Sequence, residues 1–306
     1  MNKHIINKRK EVIASERYVK FIIKHQNKLH RRYYSSNVPK KYKVVNVLRA
    51  RKLLYKNVYE DWKYMKMNVI YHRDCLVDGL QSIPDNSVDM VLTDPPYGTT
   101  QNKWDSVVDM DLFWKEIKRV TKEHSAIILF SQMPFTATAV MSNPKMFRYE
   151  WICEKHNPTG FLNAKRMPLK CHENVLVFYE KLPTYNPQMI QGKQHHRGGI
   201  RKRTSTNYNL FSPTYSISNE YYPRDVIKVN WKESIRGLHP TQKPVSLCEY
   251  FIKTYSNKGD IILDPFIGSG TTAVAAINTE RKYIGFEKDD KYFEVAKNRL
   301  EKLTNI

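Results

Sequence analysis

The chain has 306 residues, 41% of them hydrophobic, with a formal net charge of +21 and a pI of about 9.6. This length allows one large α/β domain or two smaller ones, and the basic balance indicates a polyanionic partner, most simply nucleic acid. No apolar run reaches the roughly 18 residues of a membrane span, and the four scattered cysteines fit neither a disulfide framework nor a zinc site, which suits a reducing cytoplasm.

Most of the excess charge lies near the amino terminus. Residues 1–67 hold 19 of the 51 Lys and Arg but only 4 of the 30 Asp and Glu, which gives this segment a net charge of +15. Apolar residues recur at helical spacing over residues 16–34. Residues 1–66 are therefore predicted to form a basic, helical extension, with a solvated tail as the alternative.

Strand and helix patterns alternate from Met67 onward. A short strand leads to an acidic turn at Asp74, and a helix, a loop and a second strand ending at Asp94 follow. Next come a helix over 110–123 and strands over 125–130, 150–155 and 173–180. This alternation predicts an α/β fold with a doubly wound, mostly parallel, Rossmann-like sheet.

Residues 181–237 interrupt this pattern, since they are rich in Gly, Pro, Ser, Asn and Tyr. We predict that they form an insertion outside the sheet. Its basic residues are candidates for contacts with phosphates or guanine edges, namely Arg197, Arg201, Lys202, Arg203, Arg224 and Arg236. For each of them, a phosphate contact or simple solvation is the alternative to base readout.

The final segment repeats the alternation, with a helix over 244–256, a strand over 260–266, a Gly-rich turn opening a helix over 268–280, a strand over 282–287 and a helix over 290–303. Small residues in such a turn bring backbone N–H groups and the positive end of a helix close to a ligand. No Gly-Lys-Ser/Thr follows, which excludes a P-loop. Glu287 lies 19 residues beyond Gly268, where an acid commonly binds ribose hydroxyls, although a surface acid is the alternative.

Two motifs, in this order, give the chain a family resemblance. "DPPY" at Asp94–Tyr97 and "DPFIGSGTT" at Asp264–Thr272, with "RDCL", "HENVLVFY" and "HPTQKP" in register, closely resemble the DNA amino-methyltransferases that use S-adenosylmethionine. The placement of DPPY before the glycine motif is similar to the permuted beta group of N6-adenine and N4-cytosine enzymes. The resemblance covers about residues 67–303, which would form one methyltransferase domain within 67–306. The insertion over 181–237 interrupts this domain where the group places its target-recognition region, so the resemblance implies that it reads DNA.

The resemblance implies a role for each matching residue. The methionine part of the cofactor would be surrounded by Asp264, Phe266, Gly268, Ser269, Gly270 and Thr271. Glu287 would bind its ribose, Asp74 would face its adenine amino group, and Lys243 would lie near its carboxylate. No metal is implied.

The DPPY motif suits the chemistry of methylating an amine. An exocyclic amino group is a poor nucleophile because its lone pair is delocalised into the base. The Asp94 carboxylate and the Pro95 carbonyl would each accept a hydrogen bond from one of its two N–H groups, which would direct the lone pair at the methyl carbon. Pro95 and Pro96 would keep the carbonyl rigid, and Tyr97 would stack on the flipped base.

The predicted function is therefore site-specific methylation of adenine N6 in double-stranded DNA after base flipping. Cytosine N4 methylation is the first alternative, followed by RNA methylation and by non-catalytic DNA binding. Methylation of a cytosine carbon is excluded because no cysteine follows a proline, and protein-glutamine methylation would favour Asn at position 94. We expect a monomer or homodimer in the cytoplasm of a bacterium or phage-infected cell, without membrane contact and with a cognate restriction endonuclease as a candidate partner.

Overall fold

A computed structural model of the chain describes residues 67–98, 108–197, 215–230 and 242–304. The chain divides into two units between Lys66 and Met67. The basic extension predicted for residues 1–66 lies outside the described residues. The second unit contains ten strands and five α-helices within the ranges given above.

Eight of the strands form one sheet with the order β1-β10-β9-β2-β3-β5-β4-β8. Their bounds are β1 Val69–His72, β2 Val88–Thr93, β3 Thr121–Ser131, β4 Phe147–Thr159, β5 Lys170–Phe178, β8 Val226–Val229, β9 Ile261–Asp264 and β10 Lys282–Glu287. Every neighbouring pair is parallel except the two pairs that contain β5. The predicted α/β fold with a mostly parallel sheet is confirmed.

Helices cover both faces of this sheet. Their bounds are α1 Met110–Val120, α2 Phe135–Ser142, α3 Val245–Tyr255, α4 Thr271–Asn278 and α5 Asp290–Thr304. Met90, Leu92 and Phe130 point to the face where α3 and α4 contribute Phe251 and Ala273 to one buried cluster. On the other face Trp114 of α1 packs on Phe178 of β5, with 4.8 Å between ring centroids. Because alternate strand residues face opposite layers, these central strands read as nearly continuous apolar runs.

The predicted insertion is only partly outside the sheet. Strands β6, Ile190–Arg197, and β7, Ser216–Tyr221, form a separate antiparallel pair. The prediction was wrong for Val226–Val229, because these residues form β8 and pair in parallel with Ile152–Lys155 of β4. Only four residues long and at an edge, β8 has one buried side chain, that of Val229, so its hydrophobic pattern is weak.

Two further local features differ from the sequence prediction. The segment after Asp74 is a turn of π-helix, Cys75–Gly79, followed by a 3-10 turn, Leu80–Ser82, and the helix of α2 was not predicted. Helix α2 reads "FTATAVMS", in which small and apolar residues show no stripe at helical spacing. All four cysteines are free. None of the helices described is long and apolar enough to cross a membrane.

Candidate active site

The carboxyl ends of four neighbouring strands bring the predicted site residues to one edge of the sheet. Asp74 follows β1, Glu287 ends β10, Asp264 ends β9 and Asp94 follows β2, and these strands are adjacent in that order. A crevice at the carboxyl ends of parallel strands is where open α/β sheets bind ligands. The sequence places Asp94 and Asp264 in two separate motifs, and the sheet order makes these motifs neighbours.

The glycine turn between β9 and α4 depends on two residues with left-handed backbone. Gly268 has φ +51° and Gly270, just before α4, has φ +81°, conformations that favour glycine. A Cβ on Gly270 would lie 3.2 Å from the Cβ of Ala296, whereas a Cβ on Gly268 would meet no atom within 4 Å. Open space therefore lies beside Gly268, which suits a bound ligand.

Asp264 links the glycine turn to the DPPY motif. Its carboxylate is buried and accepts hydrogen bonds from the Thr93 hydroxyl, at 2.6 Å, and from the backbone N–H of Phe266, at 3.1 Å. Burial raises the pKa of Asp264 to about 7, against the opposing effect of these hydrogen bonds. Since Thr93 immediately precedes Asp94, the two motifs are joined by a direct hydrogen bond.

Glu287 closes the other side of the turn. Its Oε2 atom accepts the backbone N–H of Gly268 at 2.9 Å, and its Oε1 atom accepts that of Asp289 at 2.8 Å. Burial raises the pKa of this carboxyl group. The acid predicted from its distance to the glycines therefore contacts the glycine turn directly.

The remaining cofactor candidates are held by local contacts. Asp74 accepts the backbone N–H of Leu76 at 3.0 Å, and its Oδ2 atom lies 3.7 Å from the ammonium of Lys288. The Phe266 ring stacks on Phe113, with 6.3 Å between centroids.

Ser269 and Thr271 are buried, and Arg299 of α5 donates to the Ser269 carbonyl and the Thr271 hydroxyl, both at 3.1 Å. Sequence reasoning missed Arg299 because nothing in the pattern of α5 distinguishes it from a surface basic residue.

Both carboxylate oxygens of Asp94 already have partners in this structure. The Tyr97 hydroxyl donates to Oδ1 at 2.5 Å, and the ammonium of Lys243 donates to Oδ2. The Tyr97 ring is stacked on Phe135, with centroids 5.0 Å apart and planes inclined by 23°. Pro95 is buried and Pro96 is half-buried. An incoming amine would therefore have to replace the Tyr97 hydroxyl at Oδ1.

Lys243 lies at the catalytic end of the crevice. Its side chain is 8% exposed, and its ammonium contacts Asp94, lies 3.5 Å from Glu173 Oε2 and stands 5.2 Å from the centre of the Phe130 ring. Burial acts to lower the pKa of Lys243, but the two facing carboxylates outweigh it and the pKa is raised. The resemblance implied a contact with the cofactor carboxylate; in this structure the side chain holds Asp94.

Glu173 of β5 extends this cluster of buried charges. Its Oε1 atom is 2.5 Å from the ammonium of Lys155 of β4. Burial acts to raise the pKa of Glu173, but Lys243 and Lys155 outweigh it and lower the pKa. Charges thus alternate from Asp94 through Lys243 and Glu173 to Lys155. Sequence reasoning assigned no role to Glu173 or Lys155, although "HENVLVFY" contains Glu173 and supplied the signal.

The predicted DNA contacts are only partly described. Arg224 is exposed, and Arg197 lies at the end of β6. Residues Arg201, Lys202, Arg203 and Arg236 lie outside the described residues. In the β6–β7 pair, the rings of His195 and Tyr221 are 4.2 Å apart. Among the residues described, no three His, Cys, Asp or Glu side chains are close enough to hold a metal ion.

Comparison with known proteins gives consistent relatives. A family described as DNA methylase (N6_N4_Mtase) matches residues 88–298. The chain is 31% identical over 253 residues to the DNA adenine methyltransferase YhdJ of Escherichia coli K12, covering 76% of this chain and 82% of the relative. It is 29% identical over 239 residues to the type II methyltransferase M.HpaI of Haemophilus parainfluenzae, covering 74% of this chain and 72% of the relative.

Two solved structures resemble the fold. The M1.HpyAVI–SAM complex aligns with a TM-score of 0.51 and 25% identity, covering 75% of this chain and 98% of that chain. The PvuII DNA methyltransferase, described as cytosine-N4-specific, aligns with a TM-score of 0.55 and 18% identity, covering 77% of this chain and 89% of that chain. The proteins that this chain resembles thus include one described as an adenine methyltransferase and one described as cytosine-N4-specific.

Proposed function

Since this chain belongs to the DNA methylase family of N6 and N4 methyltransferases, we propose that it methylates the N6 amino group of adenine at specific sites in double-stranded DNA. S-adenosylmethionine is the methyl donor. The observation that carries the proposal is the hydrogen bond from Thr93 to Asp264, which joins the amine-binding motif to the cofactor turn. The order of the motifs, with DPPY first, supports membership of the permuted beta group.

The residues of the turn fit this cofactor. Asp264 presents a buried carboxylate to a ligand part that carries an ammonium and a sulfonium, and open space lies beside Gly268. Glu287 accepts ribose hydroxyls, and Asp74 accepts the adenine amino group. The remaining cofactor residues, Phe266, Ser269, Gly270 and Thr271, shape the wall around the methionine part. S-adenosylmethionine supplies an electrophilic methyl group on sulfur.

The DPPY motif prepares the amine. The Asp94 carboxylate and the Pro95 carbonyl each accept a hydrogen bond from one N–H group of the flipped base. These two hydrogen bonds direct the nitrogen lone pair toward the methyl carbon. The new bond joins nitrogen to that carbon while the carbon–sulfur bond breaks and its electron pair stays on sulfur. A proton then leaves the nitrogen to water. Tyr97 moves from Asp94 to stack on the base.

The choice of adenine rests on the DPPY sequence and is tested by the product. Purified enzyme, labelled S-adenosylmethionine and unmethylated genomic DNA are incubated, and the DNA is digested to nucleosides. We expect the label in N6-methyl-2′-deoxyadenosine. Label in N4-methylcytosine would retain the mechanism and change the base. If RNA is added as a competitor and the label appears in RNA instead of DNA, the substrate is RNA and the proposal is wrong.

Cofactor binding is expected to depend on pH through Asp264. The carboxyl group has a pKa of about 7 without ligand, and a nearby cation lowers that pKa. Binding therefore releases a proton below pH 7, and affinity rises with pH by up to about tenfold per unit until Asp264 is ionised in the free protein. Calorimetry at pH 6 in two buffers of different ionisation enthalpy measures this proton.

The Asp264→Asn variant is the control for that titration. Its affinity for S-adenosylmethionine should be lower and nearly independent of pH between about 5 and 7, because the titrating group is gone. Proton release that persists in Asp264→Asn would assign the effect to another group, such as Glu287.

The basic extension is proposed to add DNA affinity without sequence preference. Residues 1–66 contain 19 Lys and Arg and 4 Asp and Glu. Deleting them should weaken binding to any duplex and flatten the plot of log affinity against log salt concentration, while the methylated sequence stays the same. Fluorescence anisotropy at several salt concentrations measures the slope. An unchanged slope would show that these residues make no phosphate contacts.

The target-recognition role is proposed for residues 181–237. Arg224 is exposed there, and Arg197, Arg201, Lys202, Arg203 and Arg236 belong to the same segment of the sequence. Phosphate contacts from these residues would set the position of the duplex, and a subset would read guanine edges.

A further inference from the structure

The hairpin formed by β4 and β5 passes the active site and continues beyond it. Glu173 of β5, opposite Cys153 of β4, lies 3.5 Å from Lys243, which binds Asp94. From there the strands run outward to the pair Thr159 and Lys170, three residues beyond Glu173 on β5. At about 3.3 Å per residue, the end of the hairpin stands roughly 10 Å beyond the charged cluster.

The end of this hairpin, residues 160–169 and here called the tip, is unusually apolar for an exposed segment. Phe161 is 68% exposed, Leu162 is fully exposed and Met167 is 51% exposed. Gly160, with φ +93° and no atom within 4 Å of where a Cβ would lie, lets the chain reverse there. Nine of the ten tip residues are exposed, and a group of three large apolar side chains among them indicates a binding surface.

The charge around the tip favours a nucleic acid as the occupant. Residues 156–172 contain no Asp or Glu, and they include Lys165, Arg166 and Lys170. The basic side chains Lys165, Arg166 and Lys170 are exposed. Apolar residues alone would also suit contact with a second protein chain. Apolar residues flanked by cations and by no acid suit DNA better, because the apolar side chains can contact stacked bases while the cations contact phosphates.

We propose that the tip is a wedge that enters double-stranded DNA beside the target base pair. Phe161 and Leu162 fill the space that the flipped base leaves in the stack, and Lys165 and Arg166 contact the flanking phosphates. The reach of roughly 10 Å is comparable with the groove depth of about 8 Å, so a tip of this length arrives at base level while the base lies at Asp94. This inference rests on the proposed function.

The wedge explains how the cost of extruding a base is offset. Removing a base from the duplex breaks its stacking and its pairing, and apolar side chains inserted between base steps replace the lost stacking. Tyr97 stacks on the base at its destination, and the tip fills the place that it left. Tyr97 contacts Asp94, and the hairpin leads from Glu173, on the other side of Lys243, to the tip.

The test compares the double variant Phe161→Ser, Leu162→Ser with the wild type in the full chain. The methylated site is first mapped by sequencing genomic DNA treated with the wild type. A duplex with that site is then used in two forms, one fully paired and one with a mismatch opposite the target base. We expect the variant to lose at least about tenfold in kcat/KM on the paired duplex and to recover most of it on the mismatched one, whose base is extruded more easily.

Three measurements complete this design. Met141→Ser removes a large apolar side chain, 72% exposed, near the carboxyl end of α2, and should leave both rates unchanged. 2-Aminopurine placed at the target position should fluoresce on binding the wild type and less on binding the double variant. Lys165→Ala with Arg166→Ala should raise KM and reduce the salt dependence of binding.

Each alternative outcome overturns the wedge in a distinct way. Equal losses on paired and mismatched duplexes would mean that the tip acts in binding or folding and not in base extrusion. A variant that changes the oligomeric state in gel filtration but not the fluorescence signal would assign the tip to contact with a second copy of the chain. A wild type that transfers no methyl group to any DNA would refute the proposed function, and the wedge with it.

Discussion

Replacing Asp94 with alanine is expected to lower the rate of methyl transfer by about 10³-fold or more, while S-adenosylmethionine binds within about twofold of the wild type. The carboxylate is proposed as one of the two acceptors that orient the amine, and it is held by the Tyr97 hydroxyl and the Lys243 ammonium. The residues proposed to bind the cofactor follow or end β9, β10 and β1, and Asp94 is not among them. Single-turnover transfer of labelled methyl groups to DNA measures the rate.

The Asp111→Ala variant is a matched control for this experiment. Asp111 is an exposed acid in the first turn of α1, where its removal costs only a small helix-dipole contribution. Its methyl-transfer rate should remain within about twofold of the wild type. Thermal unfolding of both variants checks that they are folded. An Asp94→Ala enzyme that retains even a tenth of the activity would show that Asp94 does not orient the amine.

Replacing Lys243 with methionine is expected to lower the free energy of unfolding by about 3–5 kcal/mol at pH 8, because removing one member of a buried ion pair leaves its partners uncompensated. Lys243 is the cation between Asp94 and Glu173, and Glu173 then keeps only Lys155. Methyl transfer should fall as well, since Asp94 loses the contact that fixes one of its oxygens. Urea unfolding followed by circular dichroism measures the difference.

The effect of Lys243→Met should depend on pH with a defined sign. In the wild type the pKa of Glu173 is lowered, so its ionised form contributes stability above its unfolded pKa, and this contribution is lost as the pH falls. In the variant the pKa of Glu173 rises, because one cation has gone. The difference between the two proteins should therefore be largest near pH 8 and shrink toward pH 5, where protonation relieves the unpaired carboxylates.

An exposed ion pair provides the comparison. Lys258 contacts Glu280 at 2.5 Å, and both side chains are more than two-thirds exposed. Lys258→Met should lower the free energy of unfolding by much less than Lys243→Met at any pH, because solvent screens a surface pair. A loss for Lys243→Met as small as that for Lys258→Met would show that the buried cluster does not hold the site together.

The sheet and the geometry of the glycine turn followed from sequence patterns that act locally. A strand, a Gly-rich turn and a helix in direct succession specify where a ligand binds, and Glu287 at the end of the next strand contacts Gly268 as the spacing suggested. The DPPY motif likewise predicted a rigid hydrogen-bond acceptor after the end of β2. These features are short-range consequences of backbone geometry, so the sequence suffices for them.

What the sequence did not predict depends on contacts between distant residues. Glu173 and Lys155 are ordinary polar residues in their own strands, and only the pairing of β4 with β5 directs both toward Lys243. The insertion contributes β8 because an edge of β4 is available, which a local pattern of four residues does not reveal. Arg299 reaches the glycine turn from a helix 28 residues further along the chain.

The order of the strands has a consequence for how the protein folds. The sheet pairs β2 with β9 in its interior and β1 with β10 at one edge, and the hydrogen bond from Thr93 to Asp264 spans 171 positions of sequence. Such distant pairings are slow to form, because loop-closure entropy is lost before any contact offsets it. During synthesis β1 and β2 leave the ribosome well before their partners, and their apolar edges must await β9 and β10. The crevice consequently assembles late, and a chain interrupted before Asp264 contains the DPPY motif but not the glycine turn that completes the crevice.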